Sequence, residues 1–481
     1  MSRPGFVARH GDWTDEQRAA AREVAERVSA EELEAVRVGF VDLHGLVRSK
    51  TVSAEHIPGV LAEGLPIVST LLSKDTSGRT VYPAFSPDGG VGVAGMGGAG
   101  DVVMVPDPTT FQVLPWARRT GWLLSDLRLK DGAPVPFDPR GALRTALRRA
   151  ASRDLDLVTG LELEFHLLQV EEGPLDPLEV NRPGAPGRAR TVSPLDRGYQ
   201  LLGDDRGDAL EPVLGELSRV LRRLGVPLRT VEVEFGPGQV EITTAPLRGL
   251  ASADAMVLIR SAVRAVAHRA GLLATFMCRP QIPEGCSSGW HLHQSLVRAG
   301  DGGNAFVGEG GLSPVGAGYL AGLLRHARAG CVFAVPTVNG YKRFQPHSMA
   351  PDRVLWAHDN RAAMLRVVGS AERGDLHVEN RAGEPAANPY LAMAAQLVAG
   401  LDGVDRGLDP GPSADQPYAT EAPRLPTSLA EAVRALDEDT ELRELLPPSL
   451  VDHYAGVKRA EVARFEATVT DWEQREYLHL F

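Results

Sequence analysis

The feature that most constrains this chain is a set of three short segments in which acidic or imidazole side chains alternate with apolar ones. The segments are GLELEF at 160–165, EFGPGQVE at 234–241 and SGWHLH at 288–293. In a β-strand, residues i and i+2 lie on the same face, so Glu162 and Glu164 point one way and the intervening leucines point the other. Burying several carboxylates together is prohibitive unless cations compensate their charge. The pattern therefore predicts a charged site built on strands, which a folding core would not need.

The same segments predict the kind of ion that the site binds. His291 and His293 also share a strand face, and Glu234 and Glu241 flank a Gly-Pro-Gly turn. Carboxylates combined with an imidazole suit a hard divalent cation, and we expect Mg²⁺ or Mn²⁺. Taken singly, each motif has a simpler interpretation that needs no metal ion. A pair of glutamates usually lies on a solvated strand face, and a lone histidine is usually a surface or core residue whose hydrogen bonds are satisfied. Only the occurrence of all the motifs together, in order, favours metal ligands.

The composition argues against several other classes of protein. The formal net charge is −11, and acidic and basic residues are interspersed without a long basic patch, so nucleic acid is not expected as a partner. Three cysteines, at 278, 286 and 331, form no disulfide framework and fit a reducing compartment. The sequence shows neither a signal-peptide pattern nor an apolar stretch long enough to cross a membrane. We therefore expect a cytoplasmic globular protein without a membrane partner.

Helical and strand-like patterns alternate along the chain and indicate two domains. The predicted elements include helices at 14–35, 139–153 and 450–476, and strands at 158–170, 275–281 and 291–297. Thr14 is expected to cap the first of these helices. A change of pattern near Pro115 predicts a small domain at 1–117 and a large domain at 118–481. Strands separated by helices indicate an α/β or α+β fold.

A second group of residues is cationic and lies in the last third of the chain. It consists of Arg343, Arg361, Arg366 and Arg381. Arginine is the usual bidentate partner of carboxylates and phosphates. Metal-binding acids together with several arginines are what phosphoryl transfer from ATP requires. The chain has no Gly-x-x-x-x-Gly-Lys-[Ser/Thr] segment, which excludes a P-loop.

In this order, the motifs resemble those of the glutamine synthetase family over nearly the whole chain. The further matching segments are FVDLHG at 40–45, NGYKR at 339–343, DNR at 359–361, ENR at 379–381 and AANPYL at 386–391. The resemblance implies an α+β fold with a small N-terminal β-grasp domain. It also implies a large catalytic domain, in which an antiparallel sheet surrounded by helices forms a bifunnel site. The family assembles as a homododecamer of two hexameric rings, and the resemblance implies the same here.

The resemblance also implies a role for each matching residue. The first metal ion, near the glutamate γ-carboxylate, would be held by Glu164, Glu234 and Glu241. The second metal ion, on the nucleotide phosphates, would be held by Glu162, His291 and Glu379. The implied substrate-binding set is Gly289, His293, Arg343 and Arg381, and the implied catalytic set is Arg343, Arg361 and Arg366. ATP would convert glutamate to γ-glutamyl phosphate, which an amine then attacks.

One loop departs from the ammonia-using members of the family. There, a glutamate between the equivalents of Arg343 and Arg361 closes over the site and helps to take a proton from ammonium. Here the aligned position is Met349, preceded by Ser348. Ammonia-using members have a second acidic residue in the ammonium pocket, contributed by the small domain, and its only counterpart here is Asp75. An apolar Met349 suggests room for a carbon-bearing amine. This pattern is similar to the γ-glutamyl-amine ligases of the family, which use polyamines, ethanolamine or other primary amines.

We therefore expect an ATP-dependent ligase that joins glutamate, through its γ-carboxylate, to a small organic amine. A glutamine synthetase that uses ammonia is the first alternative. A non-catalytic structural or regulatory homologue is the second alternative, although all six predicted metal ligands are present. Two further departures from the family pattern concern the substrates. His377 stands where an arginine often lies near the nucleotide, and Cys286 and Ser287 replace an Asn-Gly pair that helps to bind glutamate.

Overall fold

Two mixed β-sheets with helices packed around them form the body of the protein. The structure is a computed structural model, and it describes residues 4–86, 91–93, 95–171, 173, 176–282 and 285–481. The helices are α1 (Phe6–His10), α2 (Asp15–Ala30), α3 (Ile57–Glu63), α4 (Pro139–Ala151), α5 (Asp204–Arg223), α6 (Leu250–Arg269), α7 (Pro314–Arg325), α8 (Ala327–Ala334), α9 (Pro389–Arg406), α10 (Leu429–Glu438), α11 (Thr440–Leu445), α12 (Pro448–Glu466) and α13 (Asp471–Tyr477). Helices and sheets together confirm the predicted α+β class.

The smaller sheet belongs to the N-terminal part of the chain. Its strands are β1 (Ala35–Val41), β2 (Val47–Ser53), β3 (Leu65–Val68), β4 (Asp101–Pro106), β5 (Gln112–Val113) and β6 (Thr120–Arg128). They lie in the order β2-β1-β6-β4-β3, with β5 paired to β6. Strands β1 and β6 run parallel, and the other neighbours run antiparallel.

The larger sheet carries the three segments singled out in the sequence. Its strands are β7 (Leu155–Val170), β8 (Val192–Pro194), β9 (Leu228–Val233), β10 (Gln239–Thr244), β11 (Leu247–Arg248), β12 (Leu272–Thr275), β13 (Trp290–Arg298), β16 (Trp356–His358), β17 (Leu365–Val368) and β18 (His377–Asn380). The main path is β16-β17-β18-β13-β7-β10-β9, and a separate hairpin joins β14 (Val307–Gly308) to β15 (Gly311–Leu312). Within the larger sheet, neighbouring strands run antiparallel, except that β16 and β17 run parallel to each other.

Strand β7 is the axis of this sheet, because it pairs along both of its edges. Leu161, Leu163 and Phe165 are buried on one face, where they join the hydrophobic core. Helices α4 and α6 pack against β7, and α9, whose first fifteen residues are almost all buried, packs in turn against α4, α6 and α7. The apolar face of β7 is thus covered by protein, which leaves the acidic face to build a site.

Several predicted element limits need correction. Helix α2 has the predicted Thr14 cap, with Gln17 completing a capping box, but it ends at Ala30 because Glu32 adopts a left-handed conformation with φ of 48°. The strand predicted at 275–281 is wrong beyond Thr275, whose hydroxyl accepts a hydrogen bond from the amide of Met277 and so turns the chain away from the sheet. The single closing helix is two helices, and Thr470 caps the second.

The predicted boundary after residue 117 stays a prediction, but the sheet favours a later position. Strand β6 lies beyond that residue and completes the smaller sheet between β1 and β4. A cut before β6 would remove the central strand of the smaller sheet. We therefore propose that the boundary lies in 129–138, before α4 begins. Within the described ranges, no helix is both long enough and apolar enough to cross a membrane.

Candidate active site

Strand register gathers the acidic and imidazole side chains on one face of the larger sheet. On one edge of β7, Glu162 lies opposite His291 of β13. On the other edge, Glu164 lies opposite Glu241 of β10. Directly opposed residues have Cβ atoms about 4.5–5.5 Å apart, so register alone brings these side chains into contact. One strand further out, Glu379 of β18 lies opposite His293 of β13.

The side chains form two groups with the spacing of metal ligands. The first group is Glu164, Glu241 and His291, and the second group is Glu162, His291 and Glu379. Within each group, the donor atoms all lie within 4.8 Å of one another. Ligands of one Mg²⁺ or Mn²⁺ ion at about 2.1 Å are separated by at most about 4.2 Å, so small adjustments would let each group bind an ion. His291 belongs to both groups, which places the two candidate sites side by side.

Glu234 lies outside both groups of described residues, although it was predicted as a ligand of the first ion. It directly follows β9, at the start of the turn that leads to β10, and its carboxylate accepts a hydrogen bond from the amide of Phe235 at 3.2 Å. Burial raises the pKa of Glu234, and the nearby carboxylates of Glu232 and Glu162 raise it further. The side chain therefore borders the acidic cluster, and its role as a ligand stays a prediction.

The electrostatics of the cluster fit the binding of cations. Burial, together with the charges of the neighbouring glutamates, raises the pKa of Glu241 to about 10. Burial likewise raises the pKa of Glu164 to about 7, although Arg343 opposes the rise. Burial lowers the pKa of His291 to about 4, so this imidazole is neutral and can offer a lone pair. Carboxylates that repel one another in this way become stable anions beside a divalent cation.

Glu162 has the opposite electrostatic setting, because two imidazoles approach it. His291 Nδ1 makes a short hydrogen bond to one carboxylate oxygen, and His293 Nε2 lies 3.2 Å from the other. Although burial opposes them, these contacts hold the pKa of Glu162 well below its usual range. His293 Nδ1 lies 3.0 Å from Nε2 of His377, the residue that replaces the expected arginine. Glu162, His293 and His377 line a cavity of about 620 Å³, large enough for a nucleotide.

The predicted arginines lie around the same face, and the side chains of Arg343, Arg366 and Arg381 bind protein groups. Arg343 is buried and donates to the carbonyl of Arg381 at 2.8 Å and to His291 Nε2 at 3.1 Å. Arg366 donates to Glu379 at 3.0 Å, and Arg381 makes a short ion pair with the same carboxylate. Arg361 is exposed, and its carbonyl accepts from the Arg381 side chain at 3.0 Å. Their substrate-binding and catalytic roles stay predictions.

The absence of a side chain at Gly289 leaves room for the Arg343 guanidinium to contact the His291 imidazole. A Cβ atom at this position would lie 2.6 Å from the Arg343 guanidinium and 2.8 Å from His291 Nε2. Real Cβ atoms do not approach other heavy atoms this closely, so only glycine fits without displacing one of these groups. The main chain of Gly289 also holds β7, because its carbonyl accepts from the amide of Glu164 at 3.1 Å.

The residues predicted for the amine pocket lie in two separate settings. Met349 is about half exposed (51%) and has a left-handed backbone with φ of 58°, while Ser348 donates to the carbonyl of Gln345 at 2.5 Å. The loop is anchored by Tyr418, whose hydroxyl donates to the carbonyl of Ala350 at 3.0 Å. Asp75 is buried, accepts from Ser77 and Arg79, and lies 3.4 Å from Arg464. These contacts give no support to Asp75 as a pocket residue within one chain, and all three roles stay predictions.

Sequence reasoning missed three buried polar residues behind the cluster. Gln239, Ser288 and His166 are almost fully inaccessible, and they form a chain of hydrogen bonds that ends on Glu164. Strand periodicity could have identified Gln239, because it shares the face of Glu241 two residues later. No pattern could have paired it with a glutamate 75 positions earlier in the sequence.

The amino-acid sequence is similar to those of several known proteins. A sequence profile described as the glutamine synthetase catalytic domain matches residues 136–477. A γ-glutamylanilide synthase of Acinetobacter sp. is 40% identical, with 99% of each chain covered. A γ-glutamylethanolamide synthetase of Streptomyces coelicolor is 33% identical over 93% of each chain. A glutamate–isopropylamine ligase of Pseudomonas sp. is 29% identical over 97% of this chain and all of the other.

Solved structures give the same relationship at the level of the fold. A structure described as apo GmaS without ligand superposes with a TM-score of 0.79 at 31% identity, covering 94% of this chain and 99% of the other. A GmaS complex with ADP gives the same TM-score and identity, covering 95% and 99%. The predicted α+β architecture, with its large C-terminal catalytic domain, is confirmed by these likenesses.

Proposed function

The chain belongs to the glutamine synthetase family, and on that premise we propose that it is an ATP-dependent ligase that joins the γ-carboxylate of glutamate to an organic amine. One observation carries the proposal more than any other. Two groups of metal-ligand spacing share His291 on a single sheet face, and a cavity large enough for a nucleotide opens beside the second group. A nucleotide and a carboxylate substrate can therefore meet across one pair of ions.

The proposed reaction has two steps. A γ-carboxylate oxygen of glutamate attacks the terminal phosphorus of ATP, and ADP departs. The amine nitrogen then attacks the carbonyl carbon of γ-glutamyl phosphate, loses a proton and expels inorganic phosphate. The arginines beside Glu379 have side chains suited to the phosphate charge that develops. Divalent ions held by the two groups would neutralise charge on the reacting phosphate and carboxylate oxygens.

An organic amine is favoured over ammonia by two observations. The three relatives described above are named for organic amines: two for an anilide and an ethanolamide of glutamate, and one for isopropylamine. The loop position at which ammonia-using enzymes carry a glutamate holds Met349, which offers an apolar surface and no charge. We further propose Mg²⁺ or Mn²⁺ as the ions, a dodecameric assembly and a cytoplasmic location. The three free cysteines are compatible with that location.

An amine panel tests the proposal directly. Phosphate release from ATP is measured with glutamate and, in turn, aniline, ethanolamine, isopropylamine, a diamine and ammonium, and each product is identified by mass. We expect at least one organic amine to give a higher kcat/KM than ammonium. Glutamine synthetase activity becomes the better description if ammonium equals or exceeds every amine. No phosphate release with any acceptor would favour the non-catalytic alternative.

A variant at the acidic face provides the control. Glu241→Ala removes a carboxylate that lies opposite Glu164, so turnover with every acceptor should be lost together. An effect on one amine alone would place Glu241 in the acceptor pocket, contrary to the proposal. The assembly is tested separately, by measuring the mass of the purified protein in solution.

A further inference from the structure

The side-chain amide of Gln239 connects three parts of the candidate active site. It lies at the start of β10 and is only 2% exposed. Its Oε1 accepts from the amide of Gly236 at 2.9 Å, which closes the turn that follows Glu234. Its Nε2 donates to Glu164 Oε2 at 2.6 Å and lies 3.2 Å from Ser288 Oγ. One amide thus binds a turn, a strand and the loop that leads into β13.

The orientation of this amide is determined by its partners. The backbone N–H of Gly236 can only donate, so the group that faces it must be the carbonyl oxygen of Gln239. The NH₂ group must then face Glu164, because a reversed amide would set a carbonyl oxygen against a carboxylate. The second N–H of the NH₂ group points to Ser288 Oγ, with the carbonyl of Ser287 at 3.4 Å. Both N–H groups and the carbonyl oxygen of the Gln239 amide therefore have partners.

The two carboxylate oxygens of Glu164 consequently have different surroundings. Oε2 receives the hydrogen bond from Gln239, whereas Oε1 lies 4.0 Å from His291 Nε2. That separation falls within the range of about 3–4.2 Å spanned by two ligands of one ion at about 2.1 Å. The amide holds one oxygen, so the other oxygen is directed at the first candidate metal site. A carboxylate that accepts such a bond is also favoured in its ionised form.

The same amide docks the loop that precedes the histidines. Ser288 is fully buried, and its hydroxyl lies 3.2 Å from His166 Nδ1 on β7. This loop carries Cys286 and Ser287, the pair that replaces the Asn-Gly dipeptide expected at the amino acid substrate. Gly289, the next residue after Ser288, hydrogen-bonds to the backbone of Glu164. Disturbing Gln239 would therefore disturb the first metal group and the loop together.

We propose that Gln239 is a positioning residue that aims Glu164 at the first metal ion and couples that ion to the loop at the amino acid substrate. The inference rests on the proposed function, since it assigns a role within the same site. The second group, Glu162, His291 and Glu379, has no contact with the Gln239 amide among the described residues. Loss of the amide should accordingly weaken one ion and spare the other.

Binding of Mn²⁺ to the purified full-length protein tests the inference without relying on activity. The Mn²⁺ affinities of wild type, Gln239→Leu and Gln239→Glu are measured by isothermal titration and by the rise in melting temperature, with and without ADP. Outer partners of metal ligands are commonly worth about 10–100-fold in affinity, and we expect a loss of this size at one site only. The expected kinetic signature is a raised KM for glutamate, an unchanged KM for ATP, and recovery of kcat at high Mn²⁺.

Gln17→Leu is the matched control. Gln17 is also buried, and its amide closes the capping box of α2 in the N-terminal part of the chain, so this variant should lose thermal stability without losing Mn²⁺ affinity. If Gln239→Leu does not fold, Gln239→Glu and Ser288→Ala remain as tests. Unchanged Mn²⁺ affinity at both sites in a folded Gln239 variant overturns the inference and leaves the proposed function standing. A wild-type protein that binds no Mn²⁺ overturns both.

Discussion

Replacing Glu241 with glutamine should stabilise the metal-free protein while removing its response to metal. Glu241 is buried opposite Glu164, and burial with the neighbouring carboxylates raises its pKa to about 10 from an ordinary value of 4.5. An acid whose pKa is raised on folding binds its proton more tightly in the folded state. Its destabilising effect is therefore absent below pH 4.5 and grows as pH rises towards the folded pKa.

The magnitude follows from the pH interval. One pH unit corresponds to about 1.4 kcal/mol, so between the ordinary pKa of 4.5 and pH 7 the penalty reaches about 3 kcal/mol. Glutamine has the same shape without the charge, so Glu241→Gln should raise the free energy of unfolding by up to about 3 kcal/mol at pH 7. The gain should shrink towards zero near pH 4.5.

Denaturant unfolding in EDTA, followed from pH 5 to pH 8, measures this effect. With Mn²⁺ present the order should reverse, since wild type gains stability from the ion and the variant does not. Glu461→Gln is the control, because Glu461 is a buried glutamate that pairs with Lys458 at 3.0 Å, and its loss should destabilise the protein. A Glu241→Gln protein that is less stable than wild type in EDTA at pH 8 would refute the reasoning.

Three further outcomes follow from the structure. Met349→Glu restores an acid to the loop and should raise the kcat/KM for ammonium relative to organic amines; an unaltered preference in the amine panel would contradict this. Gly289→Ala should reduce turnover strongly while leaving secondary structure intact by circular dichroism, because its methyl group would lie 2.6 Å from the Arg343 guanidinium. His326 lies between two aspartates whose hydrogen bonds raise its pKa despite burial. Its stabilisation should be complete below the ordinary pKa of 6.5 and be lost as pH rises through the folded value, and His326→Gln should flatten that dependence in thermal unfolding.

The order of the motifs was sufficient to predict the family by resemblance, and the reaction as what that resemblance implies. Strand periodicity predicted the charged face, because that periodicity is local: Glu162 and Glu164 share a face whatever their neighbours are. The same reasoning predicted the α+β class and the cap of the first long helix at Thr14, since a capping box needs only residues three apart. Element ends were less predictable. The turn at Met277 depends on one side-chain hydroxyl, and the left-handed Glu32 has no sequence signature.

Tertiary structure alone decided which side chains come together in the candidate metal sites. Register between strands distant in the sequence brings Glu241 opposite Glu164 and His291 opposite Glu162, and local sequence does not encode that register. For the same reason, only the fold could show that His291 belongs to both ligand groups, that Glu234 stands at their border, and that a buried amide orients Glu164. Sequence determines which residues a strand presents on each face, because covalent geometry sets that alternation. Partners across strands depend on how the whole chain packs, because the contacts that stabilise them act through space.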